Sequence, residues 1–315
     1  MSKIHINKIS EINKDKLLNF YQKSFNFEKS VLENYKWRYR SGYCNYDSLV
    51  LSVDNQICGH AGLIPVKLRI DEKVQTVIWF TDFFISPGFR SKGYGKILTE
   101  AWMKICPTQI TLCNNESLRI FKKFNWSYNN NFVRKIRFYN FHKILPVFRN
   151  KMPLKNFPGS SGKLKLEEHN LKTIENILLI EQKNHKEKIV GIVRDENWFR
   201  WRILECPYKK NIFIFSYDNN YFIINIKNKN NLRILNLLYS TLPVNDQVLK
   251  LFNPFVKKNK IDYLSYISKD KEFNLNLPWK KKINFAFFSD EKLIIDKIGN
   301  HLDDIQYVDS DIDYL

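Results

Sequence analysis

The chain has 315 residues, with 51 Lys and Arg against 32 Asp and Glu, for a formal charge of +19. A hydrophobic share of 44% with 15% aromatics excludes a disordered chain and supplies cores for two domains of ordinary size. Met1–Ser10 alternates polar and apolar residues without a secretion-signal core. Val77–Ile85, the most apolar stretch, is too short to span a bilayer and is broken by Thr81 and Asp82. Five cysteines without a C-x-x-C pair argue against a disulfide framework and a zinc site, and for the reducing cytoplasm. The basic surplus suits nucleic acid, an anionic membrane or a ligand with several phosphates. Lys, Asn and Ile are so abundant that A/T-rich coding accounts for it equally well.

The expected elements run as follows. A strand at Lys3–Ile9 leads to a helix with apolar residues at helical spacing, Ile12–Phe25. A helix holding Tyr35-Lys36-Trp37-Arg38 comes next, then a hairpin turning at Asp54-Asn55. A long strand at Gln75–Ile85, a glycine-containing turn and a helix at Tyr94–Ile105 follow. A strand at Gln109–Cys113, a helix at Glu116–Phe124 and a strand at Asn131–Phe141 complete the first half. Pro146–Gly162, with three prolines and the run Pro158-Gly159-Ser160-Ser161-Gly162, reads as a linker. The second half has a strand at Lys163–Glu168, a helix at Thr173–Lys186, strands at Asn211–Tyr217, Tyr221–Lys227 and Leu232–Leu238, and a helix at Asn245–Lys258.

The halves repeat each other. Tyr35-Lys36-Trp37-Arg38 matches Phe199-Arg200-Trp201-Arg202, and Ser52-Val53-Asp54-Asn55 matches Ser216-Tyr217-Asp218-Asn219, both at one offset of 164. The expectation is two related domains, residues 1–145 and 163–315, joined by 146–162. At the offset of the glycine turn the second half has Pro254-Phe255-Val256-Lys257 and no glycine.

That turn carries the chemistry. Phe84-Ile85-Ser86-Pro87-Gly88-Phe89-Arg90-Ser91-Lys92-Gly93-Tyr94-Gly95-Lys96 runs from a buried strand into an amphipathic helix. Gly93 and Gly95 let the backbone turn sharply and approach a ligand. Unpaired N–H groups and the helix dipole then favour an anion, with Arg90, Lys92 and Lys96 at the rim. Neither a P-loop nor a dinucleotide fingerprint is present.

Arg90-Ser91-Lys92-Gly93-Tyr94-Gly95, after a strand ending Ile85-Ser86-Pro87, resembles the pyrophosphate motif of the GNAT superfamily of N-acyltransferases. The likeness covers about Asn55 to Trp126, with Asn114/Asn115 and Ser117–Trp126 falling where that family has an Asn and A-x-x-x-Y-x-x-x-G-F. The resemblance implies an α/β (α+β) fold of two tandem GNAT-like domains, each a mixed, mostly antiparallel sheet flanked by helices. It implies a coenzyme A thioester, acetyl-CoA or longer, as co-substrate and no metal. Phe83, Phe84 and Ile85 would hold the pantetheine arm. Arg90, Ser91, Lys92, Gly93, Tyr94, Gly95 and Lys96 would hold the pyrophosphate, and Asn115 would touch the cofactor near the thioester. Phe121 stands where the family has the tyrosine that protonates the departing thiolate, and Asn125 where it has a glycine. Phenylalanine has no proton to give, so either another group does this or the thiolate leaves unassisted, which a good thiol leaving group tolerates.

Two residues compete as the base that frees the amine. Asp82 lies among Trp79, Phe80, Phe83 and Phe84, a setting that should raise its pKa; it equally suits capping a break in the strand. His60, in Cys58-Gly59-His60-Ala61-Gly62, is catalytic or structural. Thr81 and Ser117 are weaker candidates, and Cys113 has no acid–base partner pattern for a covalent route. At strand spacing Asp309, Asp311 and Asp313 would share a face, as an acceptor site or a solvated edge.

The tandem halves, the Trp-Arg helices and the Asp-Ser-Asp tail resemble nucleotide-sugar N-acyltransferases of that superfamily. These acylate an amino group on a dTDP- or UDP-linked sugar for polysaccharides such as O-antigen, and the second domain would bind the acceptor. Trp37-Arg38 and Trp201-Arg202 would bind base or phosphate, or serve as core and tether. Two alternatives remain: a tRNA-dependent aminoacyltransferase of cell-wall peptide synthesis, disfavoured by the pyrophosphate loop, and a non-catalytic acyl-CoA-binding module. No nucleic-acid or membrane partner is expected, and oligomeric state is not legible.

Overall fold

The computed structural model describes residues 3–25, 37–39, 46–140, 162–185, 188–269, 279–302 and 304–309. Its elements are β1 Ile4–Lys8, α1 Lys14–Phe25, β2 Leu49–Val53, β3 Gln56–Ile70 and β4 Lys73–Ile85. Then come α2 Tyr94–Met103, β5 Thr108–Cys113, α3 Asn115–Lys123 and β6 Ser127–Phe138. The second half has β7 Lys165–Glu167, α4 Leu171–His185, β8 Val190–Val193 and α5 Glu196–Phe199, which runs on into a wider π turn, Arg200–Leu204. It continues with β9 Ile212–Tyr217, β10 Asn220–Lys229, β11 Leu232–Ser240, α6 Asp246–Leu251, α7 Asn253–Lys258, β12 Tyr263–Lys269, β13 Trp279–Ser289 and α8 Lys292–His301. None of the described helices is long and apolar enough to cross a membrane.

The chain forms two compact units, residues 1–128 with 286–301, and 129–285 with 302–315. The expected domains divided at 145 and 163. The compact units divide earlier because β6 pairs along its length with β12, and the C-terminal stretch 286–301 belongs with the first unit. Of the expected linker, residues 146–161 lie outside the described residues.

In the first unit the strands run β1-β2-β3-β4-β5, with the end of β13 beside β5. β1 to β4 pair antiparallel and β4–β5 is parallel. Both residues of the β2–β3 turn are left-handed, Asp54 at φ 49° and Asn55 at φ 65°, the requirement of a tight two-residue hairpin. Leu98 and Trp102 of α2 and Leu118 and Phe121 of α3 pack on Leu51, Leu63, Ile78 and Phe80. Trp102 stacks on Phe80 with ring centres 4.0 Å apart. A second cluster, Ile9, Leu17, Phe20, Tyr21, Tyr39 and Val50, buries α1.

The second unit repeats the plan. Its strands run β13-β6-β12-β11-β10-β9-β7, and β11–β12 is again parallel. The β9–β10 turn is left-handed at Asp218, φ 48°, and Asn219, φ 56°, as in the first half. The expected helix 245–258 divides at Phe252, because Pro254 cannot donate to the preceding turn. β12, β13 and α8 were not expected from the sequence.

The expected strand at the C-terminus is instead a 3₁₀ turn, Tyr307–Asp309. Asp309 is buried and receives Arg194 Nε at 2.8 Å and Nη2 at 2.5 Å. It is neither a solvated edge nor an acceptor site; Asp311 and Asp313 lie outside the described residues. Arg194 also binds Glu181 at 2.7 Å and the Asp304 carbonyl at 2.8 Å, and Tyr239 donates to Glu181 at 2.5 Å. Removing one partner from such a cluster strands the others without compensation. Arg194→Met is expected to lower stability by about 3–5 kcal/mol, read as a lower urea midpoint of the second unit.

Candidate active site

The site begins where β4 and β5 part. Their ladder holds at Ile78–Gln109 and Trp79–Ile110, and Thr111 Oγ1 then donates to the Phe80 carbonyl at 2.8 Å. On the other edge of β4, Thr81 pairs with Gly62 and Phe84 with His60, so Asp82 and Phe83 together face the single residue Ala61. This is a β-bulge, which bends the strand and turns its main chain out of the ladder. Asp82 carries the distortion, at φ 49° in the left-handed region. Gly62, paired with Thr81 beside the bulge, has no room for a side chain, since a Cβ there would lie 2.6 Å from Tyr39 Oη and 2.8 Å from the Thr81 carbonyl.

After Ile85 the chain makes one 3₁₀ turn, Pro87–Phe89, and enters α2 through Ser91 at φ 62° and Gly93 at φ 83°. Gly93 is the N-cap residue and offers no side chain to the first turn, which holds no acidic residue either. Ile97 N–H returns to the Gly93 carbonyl at 3.2 Å; the amides of Tyr94, Gly95 and Lys96 meet no acceptor among the described residues. A Cβ on Gly93 would meet nothing within 4 Å, so the space before these amides is open. Arg90 to Gly93 and Lys96 are exposed. Arg90 anchors the loop, its Nε donating to the Ile85 carbonyl at 2.9 Å and its guanidinium lying 5.7 Å from the Phe84 ring centre. Converging donors, a left-handed glycine and a cationic rim fit a pyrophosphate.

The corresponding helix start in the second unit is capped by a side chain. There the chain from β11 enters α6 through residues 241–245, and Asn245 Oδ1 accepts from Val248 N–H at 3.0 Å. The fixed offset of 164 pointed to Pro254–Lys257, which lies inside α7; the repeat loses register after the hairpin.

Across the opening, Asn115 is exposed at the start of α3, and Asn114 caps that helix, accepting from Ser117 N–H at 2.8 Å. Phe121, expected at the cofactor, is 4% exposed and packs on Phe80, Trp102 and Trp126. It is a core residue, since 118 and 121 make the inward face of α3. Burial pushes the Cys113 thiol up to about 12, which leaves it protonated and unreactive.

The electrostatics of Asp82 overturn one expectation. Burial does raise its carboxyl, but the Arg38 guanidinium, the Tyr39 hydroxyl and His60 outweigh this and hold it below the usual range. Arg38 Nη1 lies 2.6 Å from Asp82 Oδ2, and Tyr39 donates to the same oxygen. An ionised, doubly bonded carboxylate is a weak base. His60 is fully buried between the rings of Tyr21 and Tyr39, at 5.2 and 5.3 Å. Burial keeps its pKa low and the ring neutral. Its Nδ1 lies 2.8 Å from the Asp82 carbonyl; a carbonyl only accepts, so Nδ1 carries the hydrogen. The sequence reading missed Tyr39. Arg38 was marked by its repeated Trp-Arg pair, and both pairs are core and tether: Arg202 Nε reaches the Val308 carbonyl at 2.7 Å.

At pH 8, alkylation of Cys113 by iodoacetamide should be slow, rising as the pH approaches about 12; mass spectrometry of the labelled peptide reads this, and rapid labelling at pH 8 would contradict the raised pKa of this half-buried thiol.

Residues 14–126 match the model of the Acetyltransferase (GNAT) family. No curated protein was found to match the chain in sequence. Among solved structures, a probable N-acyltransferase of unknown function from Enterococcus faecalis superposes with a TM-score of 0.58 at 12% identity, covering 91% of this chain and 72% of that one. A Saccharomyces cerevisiae N-myristoyltransferase with bound myristoyl-CoA gives 0.59 at 12% identity, covering 92% and 79%. A GCN5-related N-acetyltransferase from Anabaena variabilis gives 0.58 at 14% identity, covering 90% and 72%. At such identities the likeness is one of fold. The family match covers residues 14–126, and over the rest of the chain only the fold is shared with these structures.

Proposed function

We propose that the protein is an N-acyltransferase that takes an acyl group from coenzyme A and delivers it to the amine of a nucleotide-linked amino sugar. The observation that carries the donor half is the open, uncapped mouth of α2 beside the bulged end of β4. Bound there, an acyl-CoA supplies an activated acyl carbon. Arg90 to Lys96 hold its pyrophosphate, and the main chain of Phe83 to Ile85 lies along its pantetheine arm, with Asn115 across the opening. The yeast neighbour holds myristoyl-CoA, which supports keeping long acyl chains among the donors.

The amine needs little help. An acceptor amine as acidic as a peptide α-amino group, about 7.7–8.0, is partly neutral near pH 7.5, and for such an acceptor a strong base is dispensable. Asp82 and His60 contribute through the shape of the bulge and the charge beside it. In this proposal the second unit forms the acceptor side, and the +19 surplus favours a substrate carrying a diphosphate. A role in making surface polysaccharide in the cytoplasm follows from that acceptor class.

The test is free-thiol release from acetyl-CoA and longer acyl-CoAs across a panel of dTDP- and UDP-linked amino sugars. Release with at least one such acceptor supports the proposal; release only with other amines removes the sugar, and none with any amine removes the transferase. Gly93→Trp is expected to abolish CoA binding by calorimetry, because its side chain would occupy the open space and the left-handed φ of 83° strains the loop; circular dichroism checks that the fold is kept. Asp82→Asn should leave the dissociation constant for CoA within about twofold and lower turnover by about tenfold or more.

A further inference from the structure

We propose that Arg38, Tyr39 and His60 form a three-point clamp that holds the β4 bulge in its left-handed shape, and that they serve the reaction as positioning residues. Asp82 is the gripped residue, and the grip acts on both its side chain and its main chain. Arg38 and Tyr39 fix the carboxylate at Oδ2, and His60 fixes the carbonyl through Nδ1–H at 2.8 Å. A non-glycine residue at φ 49° is strained, and such strain persists only where the surroundings over-determine it.

The three donors come from separate parts of the first unit. Arg38 and Tyr39 sit on the helical turn 37–39 and His60 on β3. All are nearly or wholly buried, at 8%, 4% and 0% exposure. Gly62 completes the clamp, because any larger residue would collide with Tyr39 Oη and the Thr81 carbonyl. Burial and the neighbouring Asp82 carboxylate push the Tyr39 hydroxyl well above its ordinary range, so it keeps the proton it donates. The direct consequence is local: Phe83, the second bulge residue, and the main chain to Ile85 take their direction from Asp82. A part-buried ion pair and two further hydrogen bonds all converge on one bulge residue. Their place at the bulge, beside the parting of β4 from β5, points to precision in the segment that meets the acyl group.

The inference rests on the reading of Phe83–Ile85 as the donor-facing segment, and the test separates the two. Hydrogen exchange of the segment 80–85 is followed by mass spectrometry in the wild type and in Tyr39→Phe, Arg38→Met, Arg38→Lys and Asp82→Asn, each checked for folding by circular dichroism. The clamp predicts exchange faster by about tenfold or more in Tyr39→Phe, Arg38→Met and Asp82→Asn, with partial recovery in Arg38→Lys. With an acceptor from the panel above, it predicts turnover lowered by about tenfold or more while the calorimetric dissociation constant for acetyl-CoA changes by less than about twofold. Wild-type exchange in folded Tyr39→Phe and Asp82→Asn would overturn the clamp, as would unchanged turnover in both. Weakened acetyl-CoA binding without loss of turnover would also overturn it. If the wild type binds no acetyl-CoA, the functional reading fails and the exchange measurement alone decides the clamp.

Discussion

A parallel strand pair whose ladder stops after two registered positions underlies everything at the candidate site. Parallel strands must be joined by a crossover, and a helix supplies it. Where the strands stay paired that helix merely covers them. Where they part, its N-terminus opens onto exposed main chain, and the amides of both elements become available to a ligand. The bulge at Asp82–Phe83 accompanies the parting on the opposite edge of β4.

Two buried ion clusters show how this chain handles charge. Arg38 with Asp82, and Arg194 with Glu181, Asp304 and Asp309, each place a guanidinium with donors to spare against carboxylates from distant sequence. A planar fork of five donors reaches several acceptors spread around it at once, a geometry that lysine's three donors on one nitrogen do not reproduce. The second cluster ties the chain near its C-terminus into the second unit. The first grips a left-handed residue beside the candidate site. The same physics is structural in one place and, on our reading, functional in the other.

The repeated plan also shows what a degenerate copy loses first. Both halves keep the left-handed Asp-Asn hairpin, the buried Trp-Arg pair and a parallel pair joined by a helical crossover. The helix mouths differ. One begins at a bare left-handed glycine; the other begins at Asn245, whose own side chain takes the amide that an anion would take. A capping residue takes one of the four unpaired amides of the first turn, so the second mouth has one donor fewer to offer an anion.

The sequence by itself determined most elements before residue 128 to within a few residues, the two Asp-Asn turns, the repeated Trp-Arg pairs and the glycine loop that opens α2. Each of these is written in local terms: apolar spacing, turn residues that tolerate positive φ, and glycines before a helix. Tertiary structure decided what depends on partners far along the chain. The exchange of β6 and of residues 286–301 between the units is long-range pairing, invisible to periodicity. The charge state of Asp82 is likewise non-local: its apolar sequence neighbours argue for a raised pKa, but Arg38 and Tyr39, more than forty residues away, reverse it. Phe121 and Asp309 were misread for the same reason, because spacing tells which face a side chain shares but not what packs against that face.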